Sequence, residues 1–579
     1  MPQRLLDDMT VDYQKLTFDY RRSIDQGRDA PAHHAVVIVG AGPVGLTCAI
    51  DLACQGIKVL VLDDDDTLSS GSRAICFAKR TLEIWDRLGC GDRMVDKGVS
   101  WNVGKVYFQD ELVYRFDLLD EPGHHRPAFI NLQQYYVEGF LFEKAATEPN
   151  IELRWNNRVV GVTQDASRAT VKVDTPDGEY AITCDYLIAC DGSRSPVRGM
   201  LGLKSDGHSF RDRFLIADVK MTPETSARFA AERWFWFDPP FHRGQSVLLH
   251  RQPDDVWRID FQLGWDADPV AEREPARVAE RVKALLAHDA DAEAEFTFEW
   301  MSVYTFACLR MERFRHGRVL FAGDAAHGVS PFGARGANSG VQDADNIAWK
   351  LRLVLQGHAP DRLLDSYDSE RVDAADENIL NSTRSTDFIT PKSAISRTFR
   401  DAVLKLASDH PFARRLVNSG RLSLPATLAS STLNTSDVDA FAGAMMPGAA
   451  CIDAPIAVDT EPGWLLHHLR ADFTLMCFAS DDEQRDDCIE RIAKCQSSGR
   501  QSSTAPLRGL VVMSSEPQRA TRAAVAEVVH DREGRVAQRY DATPGSAYLI
   551  RPDQHVCARW RNWGPAEVLA ALLRATCND

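Results

Sequence analysis

From Ala35 to Asp63 the chain reads AVVIVGAGPVGLTCAIDLACQGIKVLVLD. Val36 to Val39 form an unbroken apolar run, as expected of a strand buried on both faces. Gly40, Gly42 and Gly45 follow in G-x-G-x-x-G spacing. In such a loop the first glycine permits the tight turn. The second lets backbone approach a pyrophosphate, and the third lets the helix pack close to the strand. Pro43 and Val44 open that helix, whose first N–H groups are unpaired and suited to an anion. A second apolar strand, Val59 to Leu62, ends at Asp63, about twenty residues on, where a carboxylate can hold ribose hydroxyls. Strand, turn, helix, strand and acid in register read as a dinucleotide-binding unit. Asp64, Asp65 and Asp66 continue the acid as a run that reads as solvated charge; Asp64, next to Asp63, is kept as a further cofactor contact.

A second stretch, RVLFAGDAAHGVSPFGARGANSGVQDADNIAWKL from Arg318 to Leu351, pairs with the first. A short buried strand (Val319, Leu320, Phe321) delivers Gly323 and Asp324 to its carboxyl end, where ligands bind in open α/β folds. A Gly/Ala/Pro-rich loop through Pro331 follows, then a long helix opening at Gly336, Ala337 and Asn338. The Asp can accept hydrogen bonds from a sugar or polyol. The helix start offers unpaired N–H groups and about half a positive charge.

The whole chain sets the frame. Its 579 residues, by a length prior, hold about three or four domains. Hydrophobic residues make up 44%, enough for a sizeable core. No apolar run of about 18 residues appears, so no membrane span is expected. The start, MPQRLLDDMTVDYQKL, has no basic-then-apolar secretory pattern. A formal net charge of −16 argues against nucleic acid as the partner. The 13 cysteines include no CxxC pair, which points away from zinc or a redox dithiol and toward a reducing cytoplasm.

Residues 1–32 read as a polar extension, packed on the surface or mobile, with a weak helical pattern. Between 205 and 305, runs such as FLIADVKM, RWFWF, SVLLHR and WRIDFQLGW predict a large antiparallel sheet. Helices dominate from 338 to about 420. Ser430–Asp439 reads as a linker. Beyond it, FTLMCFA, the Ser/Gly-rich loop QSSGRQSSTAP (496–506), GLVVMSS, a hairpin-like YLIRPDQHVCARW and a last helix predict a small α/β domain.

The glycine motif alone does not separate FAD from NAD(P); three more segments favour FAD through what they resemble. GSRAICF carries Arg73; INLQQYYVEGFL carries Gln134, with Gln133 as the neighbouring alternative; YLIACDGSRSPVR carries Asp191. In this order, with GAGPVG before them and GDAAH after, they resemble the FAD-dependent aromatic hydroxylases. These are flavoprotein monooxygenases of the para-hydroxybenzoate and phenol hydroxylase type. The nearest branch is the 3-(3-hydroxyphenyl)propionate hydroxylase-like one. The resemblance covers most of residues 35–400. It implies an α/β chain whose Rossmann-like, GR2-type FAD-binding domain is discontinuous (33–103, 128–204, 306–430). An antiparallel-sheet substrate domain (104–127, 205–305) and a thioredoxin-like C-terminal domain (440–579) complete it. The tail lacks that fold's CxxC, so its expected role is structural or dimerising, and a homodimer is in view.

The same resemblance assigns roles. Arg73, Gln134 and Asp191 lie near the flavin and pyrophosphate. Asp324 binds the ribityl chain. Pro331 shapes the loop against the flavin ring, and Gly336, Ala337 and Asn338 present N–H groups to its pyrimidine edge. His327 packs structurally or acts as a base, with packing the commoner case. The commoner Gly-Gly-Gln-Gly-Met-Asn pattern is here Gly333-Ala334-Arg335-Gly336-Ala337-Asn338. Arg335 is therefore expected to stabilise an anionic flavin or phenolate; a cation 4 Å away is worth on the order of 4 kcal/mol at an effective dielectric near 20. LLDSYDSERV (363–372) resembles the family's Tyr-x-x-Glu-Arg-Arg-Pro, with Val372 and Asp373 in place of Arg-Pro. Among inward candidates on the predicted sheet are His208, Arg233, Trp234, Trp236, His250, Arg258 and Tyr304, either aromatic-site walls or plain core. By strand alternation Trp234 and Trp236 share one face, opposite Arg233 and Phe235.

No Ser–His–Asp order, HExxH or Walker A sequence occurs, so the chemistry falls to the cofactor. The implied reaction uses NAD(P)H and O2 to hydroxylate a phenolic compound through a flavin C4a-hydroperoxide, in aromatic catabolism. No second G-x-G-x-x-G sits in a strand–turn–helix, so NAD(P)H would bind transiently. The rival readings are a tailoring oxygenase of a polycyclic substrate, a non-catalytic FAD-binding protein that sequesters an intermediate, and a flavin dehydrogenase.

Overall fold

The computed structural model describes residues 12–71, 73–288, 295–417, 423–458, 461–501, 505–515 and 525–579. Its organising element is a parallel sheet. The strand β1 (Ala32–Val39) runs into helix α1 (Pro43–Cys54) and returns as β2 (Val59–Leu62). Helix α2 (Gln134–Thr147), β3 (Ile151–Arg154), β4 (Tyr180–Ala189) and β5 (Val319–Phe321) follow; helices α3 (Gly336–Leu355) and α4 (Asp365–Ile389) come next. The strands lie in the order β5-β4-β1-β2-β3, each pair parallel. Residues 36–39, 59–62 and 319–321 are buried, which is why they read as unbroken apolar runs.

Register places the site. Val39 pairs with both Leu62 and Ala189, and Ala189 pairs with Phe321. The residues just beyond, Gly40, Asp63, Cys190 and Ala322, therefore sit along one edge of the sheet. The two motifs, almost three hundred positions apart in the chain, are brought together by strand pairing. Helices α1 and α3 also meet: a Cβ on Gly340 would lie 2.6 Å from Val44 Cγ2.

The second sheet has eight strands and holds all the runs expected between 205 and 305. It is antiparallel except at one place. Arg233–Phe237 pairs parallel with Val103–Phe108, Phe235 opposite Val106. Those strands are joined by a long crossover, which permits a parallel pair where a hairpin would not. Its two faces differ. One carries Trp234, Trp236, Val247, Leu249, Trp257, Ile259 and Phe261 and packs under the amphipathic helix Pro275–His288. That helix went unread in the sequence. The other face looks toward the nucleotide motifs.

The tail forms a seven-stranded mixed sheet around Phe473–Ala479 and Leu507–Met513, which pair parallel. The stretch from 496, expected to be loop, is helical as far as Gln501 in the helix Asp482–Gln501; once a helix is nucleated, adding a Ser or Gly at its end costs little. Of residues 12–31, read as an extension with a weak helical pattern, Tyr13–Lys15 form a short 3-10 turn and Thr17 bridges to Thr67. Phe18 stacks on Trp155 at 4.0 Å between ring centroids. The rest of that expectation, residues 1–11, lies outside the described residues. Among the described residues no helix is long and apolar enough to cross a membrane.

The tail is bolted to the sheet core by a buried ion cluster. Glu370 on α4 accepts from Lys350 Nζ (2.7 Å) and Arg551 Nη1 (2.6 Å). All three side chains are sealed from solvent. Breaking one partner of a buried pair strands the other charge, at about 3–5 kcal/mol. Arg551→Met should therefore lower the thermal unfolding midpoint by several degrees in calorimetry. An unchanged midpoint would show that the cluster adds nothing to the attachment.

Candidate active site

One cleft of about 680 Å³ collects residues from both motifs and from the second sheet. At its nucleotide end Gly40 takes φ +104°, and a Cβ there would lie 2.5 Å from Cys190 O. A Cβ on Gly45 would lie 2.0 Å from Gly40 O. Gly42, by contrast, faces open space, with nothing within 4 Å of such a Cβ. So two glycines are set by packing and the middle one leaves room in the cleft, beside the start of α1. Ala41 N–H donates to Asp63 Oδ2 (2.5 Å), tying loop to carboxylate. Burial pushes the Asp63 carboxyl up to about 6.

Asp324 is exposed on the cleft wall, and the protein packed around it disfavours its charged form and raises its pKa. The loop carrying it is held from behind. Asp343 on α3, fully buried, accepts from Gly323 N–H (2.9 Å) and Arg371 Nε (2.7 Å) and pairs with His327 Nε2 (2.7 Å). Burial alone would raise the Asp343 pKa, but His327 and Arg371 hold it below the ordinary range. His327 is thus a structural partner. Ala334, in the same loop, adopts φ +53°, a left-handed conformation costing a non-glycine residue on the order of 1 kcal/mol.

Helix α3 starts in the cleft wall at Gly336 with no side-chain cap. The Asn338 side chain is used elsewhere. It accepts from Ala78 N–H (2.8 Å) and Thr81 Oγ1 (2.7 Å) and donates to Cys76 O (2.9 Å). Arg335 is buried and its Nη1 donates to Phe332 O at 3.3 Å. The Gln134 side chain accepts from Ala74 N–H (3.0 Å) and donates to Glu138 (2.7 Å), fixing the segment beside Arg73.

At the other end the second sheet presents a polar face to the cleft: Arg233, His250, Arg258, Asp260 and Tyr304. Arg258 Nε donates to Asp218 (3.0 Å) and its Nη1 to Arg73 O (3.0 Å). His250 Nε2 lies 3.2 Å from Asp260. Burial, then the nearby Arg233 charge, pushes the His250 pKa down to about 4, so it is neutral. Burial holds the Tyr304 phenol well above its ordinary range.

Residues 33–382 match the family model described as FAD binding domain. The chain belongs to the FAD-dependent aromatic hydroxylases. A 3-(3-hydroxy-phenyl)propionate/3-hydroxycinnamic acid hydroxylase of Mycolicibacterium smegmatis is 29% identical over 67% of this chain and 67% of its own length. A 6-methylpretetramide 4-monooxygenase of Streptomyces rimosus is 30% identical over 93% of this chain and 92% of its own. Among solved structures, the flavin-dependent monooxygenase PieE in complex with FAD and substrate superposes with TM-score 0.77 at 20% identity, over 95% of this chain and 100% of that one. The last likeness bears on the fold alone.

For an FAD-dependent hydroxylase the donor set fits. The room at Gly42, the free helix starts of α1 and α3 and the cleft-facing Asp324 suit a phosphate-and-polyol cofactor. Of the residues singled out from sequence, Gly42, Pro43, Val44, Asp63, Arg73 and Gln134 line the cleft. So do Asp324, Pro331, Arg335, Gly336, Ala337 and Asn338. Gly40, Gly45, Asp191 and Gly323 stand behind the wall; Asp191 caps a short turn by accepting from Val197 N–H at 2.9 Å. Asp64, kept from sequence as a cofactor contact, is exposed and apart from the lining, whereas Asp65, read as solvated charge, lines the cleft. Gln134, and not Gln133, is at the cleft. On the sheet, His208, Trp234 and Trp236 are not in the lining, whereas Arg233, His250, Arg258 and Tyr304 are. Asp260, Trp155 and Trp300 also line it and were missed. Asp260 had a signal: VWRIDFQL alternates apolar and polar along a strand buried at all eight positions.

Two measurements test this end of the cleft. Asp324→Ala should weaken FAD retention by about 10- to 100-fold, the worth of one or two hydrogen bonds to a charged acceptor. Asp63 gives a pH signature. Its raised pKa stabilises the cofactor-free protein at low pH, and that contribution is lost as pH rises through about 6. A hydroxyl donated to the ionised carboxylate reverses the preference. The FAD dissociation constant should therefore rise as pH falls below 6, by up to about tenfold per pH unit, and Asp63→Asn should flatten the profile. A flat profile for the unmodified protein would remove Asp63 from the cofactor contacts.

Proposed function

We propose that this protein uses NAD(P)H and O2 to hydroxylate a phenolic aromatic compound. The observation that supports it is continuity. One cleft runs from the two nucleotide motifs into a buried chamber whose polar groups, Arg233, His250, Arg258, Asp260 and Tyr304, lie among the rings of Trp300 and Phe306. Bound flavin supplies electron transfer from the nicotinamide and activation of oxygen. The chain supplies everything else. Asp63, Asp324 and the start of α1 would hold the polyol and phosphates. The uncapped helix start at Gly336 and Ala337 would offer N–H groups to negative charge on the flavin. Asp260 and neutral His250 offer acceptors for a phenol proton. The sheet and its covering helix keep water from the reacting atoms.

A second reading differs only in substrate size. The 6-methylpretetramide 4-monooxygenase aligns over nearly the whole of both chains, which favours a polycyclic phenol.

A panel of single-ring and polycyclic phenols distinguishes them. The expected result is substrate-stimulated NAD(P)H oxidation with a product heavier by one oxygen atom. Absence of stimulation across the panel would sink both readings. Arg335→Gln should slow flavin reduction or shift the pH dependence of substrate binding, since a buried cation at the cleft wall is removed. If neither moved, Arg335 would be only a loop brace.

A further inference from the structure

The chamber contains two buried arginines that differ in one respect. Arg258 is matched: its guanidinium bonds the Asp218 carboxylate. Arg233, 3% exposed, is not. Among the described residues no carboxylate comes within 4.0 Å of its guanidinium. Its Nε has no hydrogen-bond partner, and its Nη1 has only a long contact to Cys76 Sγ at 4.0 Å. The rings of Phe235 (5.0 Å) and Trp101 (5.9 Å) lie near the charge, but they do not supply a counter-ion. The nearest acid of the chamber, Asp260, is engaged by His250 at 3.2 Å.

A cation removed from water without a paired anion is destabilising, and arginine cannot escape by losing its proton. Burial does act against its charged form here. A purely structural residue at this position would be apolar, as its strand neighbours Trp234 to Phe237 are. Arg233 belongs to the second sheet, beside Asp260, Tyr304 and His250, and not to the glycine loop or the helix starts that suit phosphate. The anion that completes it is therefore one that enters the chamber, not the nucleotide. The neighbouring Tyr304 hydroxyl stays protonated and adds a neutral donor.

We propose that Arg233 holds an ionised oxygen of the aromatic substrate, a carboxylate or a phenolate, and so selects acidic aromatic compounds. This rests on reading the chamber as the substrate site. Binding is read from perturbation of the flavin absorbance spectrum in the FAD-loaded protein, without NAD(P)H. A failure of hydroxylation therefore leaves the test intact. Three probes are compared: 3-(3-hydroxyphenyl)propionate, its methyl ester, and 4-nitrophenol above and below its ionisation. The unmodified protein should bind an ionised probe more tightly than the ester. Arg233→Met should weaken that probe about 10- to 100-fold and leave the ester unchanged. Arg233→Lys, which keeps the charge, should retain the preference. Loss on the propionate identifies a carboxylate; loss on 4-nitrophenol confined to high pH identifies a phenolate. The thermal midpoint of Arg233→Met should hold or rise, since an unmatched charge is removed. Equal weakening of acid and ester, or no preference of the unmodified protein for either ionised probe, overturns the proposal.

Discussion

The site depends on a single buried carboxylate. Asp343 sits on α3 with no access to water and gathers three partners: the Gly323 N–H, the His327 ring and the Arg371 guanidinium. Those partners come from the loop after β5, the segment beyond it and helix α4. Removing the charge would release all three. Its neighbours extend the clamp: Arg371 reaches inward to Asp343, and Glu370, one residue earlier, reaches outward to Lys350 and Arg551 of the tail. Tyr367, one turn before, donates to Phe321 O at 2.5 Å. The segment LLDSYDSERV thus ties the last strand of the nucleotide sheet, the cofactor loop and the C-terminal sheet through residues on successive turns of one helix. Such a carboxylate tolerates burial because it is hydrogen-bonded on both oxygens and paired with the Arg371 guanidinium.

The second sheet shows the complementary arrangement. A sheet sealed on both faces normally carries apolar side chains on each. Here every position of Val256–Leu263 is buried, yet polar residues alternate with apolar ones. The apolar set packs under the helix Pro275–His288. The polar set turns toward the flavin motifs and is only partly satisfied within the protein, as the bare Nδ1 of His250 and Nε of Arg233 show. Incompletely paired groups in a water-poor chamber are costly to folding and useful to recognition, because a ligand that completes them gains what the empty site lacks.

Much of this was legible in the chain. GAGPVG, the strand before it and Asp63 after it announce their own conformation, since turn, helix start and strand are local matters set by glycine spacing and apolar runs. GDAAH and the glycine-rich loop after it do the same. Alternation in RWFWF placed Arg233 opposite the tryptophans. The parallel pairing of Arg233–Phe237 with Val103–Phe108 was not legible, because nothing local records which distant strand supplies a hydrogen-bonding partner. Nor was the use of Asn338 and Gln134 as internal braces, which depends on backbone groups from Cys76, Ala78 and Ala74.

The sequence by itself determined the cofactor class and the local shape of each half of its site. It did so because a phosphate-and-polyol ligand is met by backbone geometry, and backbone geometry follows from a few glycines, a proline and two acids in fixed spacing. The tertiary structure alone decided which charges are matched. Whether Arg258 meets Asp218, and whether Arg233 meets no carboxylate among the described residues, depends on strand register across four neighbouring strands. Composition and spacing along one strand carry no record of that.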